Sequence, residues 1–161
     1  MPARSHWIAA AFIAAGTAAA VHGSAAGVEQ RALATAAGGA AVPLLAADSP
    51  TAILMVTAEC AKCRIGVSAY GDVRALALRE GFGFRSVVAS GPVAARQFAL
   101  LLPDAGQVAL DADQAVLRSL RVQTVPALVL VDGARRRHRV LALEVPLVDT
   151  ARMVREIRAF R

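Results

Sequence analysis

The stretch Ala52-Ile53-Leu54-Met55-Val56-Thr57-Ala58-Glu59-Cys60-Ala61-Lys62-Cys63 is where the fold is decided. Ala52 to Thr57 is a short apolar run bounded by Ser49-Pro50 on one side and the cysteines on the other, which predicts a buried strand. Ala61 to Arg79 carries apolar residues at Ile65, Tyr70, Val73, Leu76 and Ala77. That spacing predicts a helix ending near Gly81, with Gly66 and Gly71 marking weak points or a kink. Cys60 and Cys63, the only cysteines in the chain, thus fall where a strand hands over to a helix.

Further elements follow downstream. Phe84 to Ala89 reads as a strand. Pro92 to Leu102 reads as a helix that Pro92 opens and Pro103 stops. Gln107 to Leu110 is a third strand, and Asp111 or Asp113 caps a short helix from Gln114 to Leu120. Ala127 to Val131 is a fourth strand. Asp132-Gly133 signals a turn into a fifth, Arg139 to Leu143. The last helix, Val148 to Phe160, turns Val154, Ile157 and Phe160 inward and its arginines outward. Early alternation implies parallel crossovers and the late hairpin adds antiparallel strands, so a mixed central sheet with helices on both faces is expected.

The placement of the cysteines suits thiol–disulfide exchange. The reactive species is the thiolate, which unpaired N–H groups and partial positive charge at a helix N-terminus favour. A second cysteine three residues on lies one turn away, within reach of a mixed disulfide on the first. Cys60 is therefore the candidate nucleophile and Cys63 the candidate resolving thiol. Lys62, the only lysine, and Arg64 favour a Cys60 thiolate or simply face solvent, whereas the Glu59 carboxylate works against it.

Two cysteines are too few for a stapled scaffold or a four-thiolate zinc site, and no paired histidines complete a mixed one. No metal site and no cofactor are expected beyond a redox-active Cys60–Cys63 disulfide. The net charge of +6 gathers in Arg135-Arg136-Arg137, Arg139 and a series at Arg152, Arg155, Arg158 and Arg161. These read as a solvated turn and helix face, or alternatively as a contact for anionic headgroups. No aromatic-plus-basic pattern points to nucleic acid. Arg4 and His6, the uncharged run Trp7 to Val21, and the small residues after it have the three parts of a secretory signal. Ser24-Ala25-Ala26 and Ala18-Ala19-Ala20 both fit a cleavage site. Retained, the run to Ala26 is about 20 residues, enough to span a bilayer as an anchor. The expected organisation is a signal peptide or membrane anchor over 1–26, an Ala/Gly-rich linker over 27–48 and one domain over 49–161.

Thr124-Val125-Pro126 directly precedes the apolar strand Ala127 to Val131, where a proline marks a strand's first residue or an edge. With the CxxC at a strand–helix junction, this resembles the thioredoxin superfamily from about Thr51 to the C-terminus. The stretch Val108 to Val122, together with the leader, is most similar to exported or membrane-anchored TlpA-like thiol-disulfide oxidoreductases. The resemblance implies a thioredoxin-like three-layer α/β/α sandwich with a mixed central sheet. It further implies a cis Pro126 facing the dithiol and a Val125 backbone that pairs with an extended substrate segment. Substrates would be protein thiols or disulfides, served by a redox partner protein. The chain would work as a monomer in the periplasm, secreted or associated with the inner membrane, with no nucleic acid. Three positions depart from the family: Glu59 stands for a common tryptophan, Leu54 for a buried acid, and Gly66 for a glutamate that some relatives carry after the second cysteine. The same fold also serves as a binding module for copper delivery or assembly, and two thiolates are the start of a Cu(I) site.

Overall fold

The computed structural model describes residues 22–24, 28 and 31–161. The core of the sheet is β4 (Thr51–Val56), every residue of which is buried. A strand covered on both faces is apolar at each position, and so it is written in the sequence as a continuous run. β5 (Gly83–Val88) lies parallel to β4, and β6 (Ala109–Leu110) parallel to β5. On the other side β7 (Ala127–Asp132) and β8 (Arg137–Ala142) run antiparallel. With β1 (His22–Ser24) on the edge of β8, the order is β1-β8-β7-β4-β5-β6.

Helices cover both faces. Leu54 and Val56 point to one side, where Val73 and Leu76 of α2 (Val67–Arg79), Phe98 of α3 (Pro92–Ala99) and Ile157 of α5 (Thr150–Phe160) close over them. Ile53 and Met55 point to the other side, covered by Val116 of α4 (Ala115–Ser119) and by Leu120. The sequence reading therefore describes the sandwich well, with ends moved by one to three residues. The helix expected over 61–79 is two, α1 (Ala61–Ile65) and α2, divided at Gly66.

Of the expected linker over 27–48, the described residues 28 and 31–48 are instead part of the fold. Val28 and Leu44 are fully buried in the same cluster as Ile53 and Met55. The short hairpin of β2 (Ala32–Leu33) and β3 (Val42–Pro43) lies between them in the chain. Beyond β2, Leu110 donates to the Ala34 carbonyl and Ala36 to the Val108 carbonyl, each at 2.9 Å, which covers the outer edge of β6. The physical reason is area: α4 is only five residues long and leaves much of that face bare, so the early segment straps across it. His22–Ser24, inside the stretch expected as leader, pairs with the opposite edge through Ser24↔Arg137 and His22↔Arg139. Both sheet edges are thus closed by chain that precedes β4, a common defence against unwanted pairing. The rest of the expected leader, residues 1–21, lies outside the described residues, as do 25–26.

The arginine run is also more than solvated. Arg137 donates to the Phe160 carbonyl and its guanidinium lies 4.7 Å from the Phe160 ring centre. Arg135 donates to the Arg161 carbonyl at 2.6 Å. Cations thus meet the carbonyl-rich end of α5, where the helix dipole favours them. Arg139 and Arg158 pair with Glu156 and Glu80 at 2.7 and 3.0 Å.

Candidate active site

Cys60 is the N-cap of α1, with extended backbone (φ −77°, ψ 112°). Its sulfur accepts the Cys63 backbone N–H at 3.0 Å, as an N-cap side chain should. The helix thereby presents one of its unpaired donors to the sulfur of its own cap residue. Both cysteines are free thiols; Cys60 is partly exposed and Cys63 is buried. Burial, with a hydrogen bond and charge from Cys60, pushes the Cys63 thiol up to about 12. One sulfur is therefore open to a partner while the other is held back as a neutral thiol.

Facing them is the turn before β7. The Val125–Pro126 peptide is cis, and the Cys60 thiol lies 3.5 Å from the Val125 carbonyl oxygen, onto which it donates. The register explains the meeting. β7 runs antiparallel to β4 with Met55 opposite Ala127, so the residue before Ala127 reaches the chain that leaves β4 for Cys60. Beside Cys60 a cleft is lined by Lys62, Thr124, Val125, Pro126, Leu143 and Val145. Of the sequence candidates, Cys60, Cys63, Lys62, Val125 and Pro126 come together here.

Glu59 is engaged elsewhere. Its carboxylate accepts the Ser90 hydroxyl at 2.6 Å, and the same Ser90 oxygen accepts the Ala58 N–H at 2.8 Å. On the other side Arg64 donates to the Ala58 carbonyl at 3.0 Å. The approach to Cys60 is thus pinned from both flanks. Ser90 escaped the sequence reading, although the parallel register held its signal. Val56 pairs with Val88, and two steps further along both strands Ala58 meets Ser90. Tyr70 also escaped as a site residue. It is fully buried, and its hydroxyl donates to the Cys63 carbonyl at 3.0 Å.

Gly66 now has a physical account. A Cβ there would stand 2.7 Å from the Tyr70 hydroxyl oxygen and 2.7 Å from Val145 Cγ1. A side chain here requires Tyr70 or Val145 to shift, which disfavours the glutamate that some TlpA-like proteins carry at this position. Leu54 packs in the apolar cluster beneath the motif. Among the described residues no group of three or more His, Cys, Asp or Glu is placed to hold a metal ion.

No family model and no curated protein matches the sequence. Solved structures do. A secreted disulfide oxidoreductase of Mycobacterium tuberculosis, described as homologous to E. coli DsbE, superposes with a TM-score of 0.61 at 17% identity, covering 82% of this chain and 97% of that one. The reduced N-terminal domain of PilB from N. meningitidis gives 0.57 at 19% identity over 78% and 90% of the two chains. An exposed lipoprotein thioredoxin from Streptococcus pneumoniae gives 0.60 at 13% identity over 80% and 98%. With its β4–α1 dithiol facing a cis Pro126, the chain has the thioredoxin-like fold.

Proposed function

We propose that this chain is an extracytoplasmic thiol–disulfide oxidoreductase acting on protein cysteines through Cys60 and Cys63. The observation that carries the reading is the asymmetry of the pair: an open Cys60 sulfur at a helix N-cap, 3.5 Å from the Val125 carbonyl, backed by a buried Cys63. In the reducing direction the Cys60 thiolate attacks a substrate disulfide. A Cys60–substrate bond forms, the substrate bond breaks, and the released sulfur takes a proton. Cys63, having lost its proton, then attacks Cys60, and the second substrate sulfur leaves as a thiol. The substrate gains two electrons and two protons, and the protein becomes the Cys60–Cys63 disulfide. The reverse steps oxidise a substrate dithiol, so the redox partner protein sets the net direction.

Extended substrate segments would lie along Val125 beside the cleft, with Lys62 at its rim. The leader-like N-terminus supports a place outside the cytoplasm, where disulfides persist. The secreted and surface-exposed neighbours in structure fit the same compartment. The test is capture. A Cys63→Ala protein expressed in the periplasm should accumulate mixed disulfides with exported proteins, released by reductant and missing when Cys60 is also replaced. Absence of Cys60-dependent adducts would sink the reading.

A further inference from the structure

The exchange steps above leave the Tyr70 phenol without a part. It is the only tyrosine of the chain, it lies fully buried beneath the dithiol, and it reaches from α2 to the Cys63 carbonyl in the last turn of α1. Carbonyls at a helix end lack intrahelical partners, and here a side chain of the next helix supplies one. The contact spans the break at Gly66, and it is tightly built. The space above Gly66 is filled by the Tyr70 hydroxyl on one side and Val145 on the other. Val145 in turn lines the cleft beside Lys62 and Pro126. One packed junction therefore joins the resolving cysteine, the start of α2 and the cleft wall.

An O–H donated to the Cys63 carbonyl turns its positive end toward that residue. A positive dipole eases the negative charge that forms on the nearby sulfur. Leu54 of the same cluster is apolar, and the phenol is a buried ionisable group that reaches the Cys63 backbone directly. Burial, together with the charges of Cys63 and Cys60, pushes its own ionisation upward, so it stays a donor at neutral pH.

Resting on the exchange reading, we propose that Tyr70 is a positioning residue for resolution: its hydroxyl fixes the aim of Cys63 at Cys60 and stabilises the charge that builds on the Cys63 sulfur. The phenol keeps its proton throughout. Cys63 loses its proton to water, the Cys60–Cys63 bond forms, and the Cys60–substrate bond breaks with its electron pair leaving on the substrate sulfur.

The experiment follows resolution of the Cys60–glutathione adduct, made from the reduced full chain and oxidised glutathione, between pH 6 and 9. Tyr70→Phe should resolve about tenfold more slowly, as loss of one hydrogen bond implies. Its pH profile should be displaced to higher pH, and leaving the Cys63 carbonyl without its donor should lower the thermal midpoint modestly. Growth on 3-fluorotyrosine alters Tyr70 alone, makes its hydroxyl a stronger donor, and should speed resolution. Coincident profiles for the parent and Tyr70→Phe overturn the proposal. So does equal slowing by both changes in step with lost thermal stability, which marks a purely structural role. Failure of Cys63→Ala to form any Cys60–glutathione adduct overturns the exchange reading itself, and this proposal with it.

Discussion

Ser90 donates its hydroxyl to the Glu59 carboxylate at 2.6 Å, tying the acid that precedes Cys60 to the segment after β5. The charge is thereby tethered one residue away from the nucleophile. An adjacent, water-screened charge is worth roughly 0.5–1 kcal/mol. Glu59→Gln keeps an acceptor for Ser90 and removes the charge, so Cys60 should alkylate with iodoacetamide about two- to fivefold faster at neutral pH. An unchanged or slower rate would show that the carboxylate does not act on the sulfur.

Ser90→Ala is a different perturbation. It leaves the Ala58 N–H without its partner and frees Glu59. A buried donor left unsatisfied costs about 1–3 kcal/mol. Urea unfolding should register that loss, while Glu59→Gln should leave stability nearly unaltered.

The Cys63 thiol makes stability depend on pH in a specified window. Its ionisation lies near 9 in the unfolded chain and is pushed up to about 12 in the fold. The folded state thus favours the protonated form. Its contribution is fully present below pH 9 and is lost as the pH rises from there toward 12. The reduced protein should lose more stability between pH 8 and 10.5 than Cys63→Ala does, as measured by denaturant midpoints. Equal losses would contradict the assignment.

Gly66→Ala should be costly, because its Cβ meets Tyr70 and Val145 at 2.7 Å. Overpacking of this kind costs about 1–3 kcal/mol. Thermal melting should show it. Tyr70→Phe in the same background should restore only part, since Val145 still blocks the space.

Leu44→Ala separates a strap from a linker. A fully buried leucine cut to alanine costs about 2–5 kcal/mol, and a linker residue costs almost nothing. A midpoint shift of core size is expected on denaturation.

The sandwich and the dithiol were legible because each had a strong local signal. β4 is an unbroken apolar run, and Cys60 and Cys63 are the only cysteines. Pro126 was legible from its place before β7. What escaped depended on distant partners. Residues 27–48 are so rich in alanine and glycine that they carry no period, and only the bare face opposite α2 shows why Val28 and Leu44 matter. Tyr70 looked like one more inward helix residue, since helical spacing reports the side that is buried and not where a hydroxyl ends. Arg135 and Arg137 looked solvated because their targets, the carbonyls ending α5, lie at the far end of the sequence.

The pairing of β1 with β8 has a bearing on timing. β1 is the first described strand and β8 the last, so the edge they share cannot close until nearly the whole domain is available. A chain threaded out of the cytoplasm N-terminus first would present β1 with nothing to bind. Contacts so far apart in sequence form late and slowly. Until then β1 lacks its pairing partner, so closure of that sheet edge would wait on delivery of the C-terminal third rather than on the dithiol region.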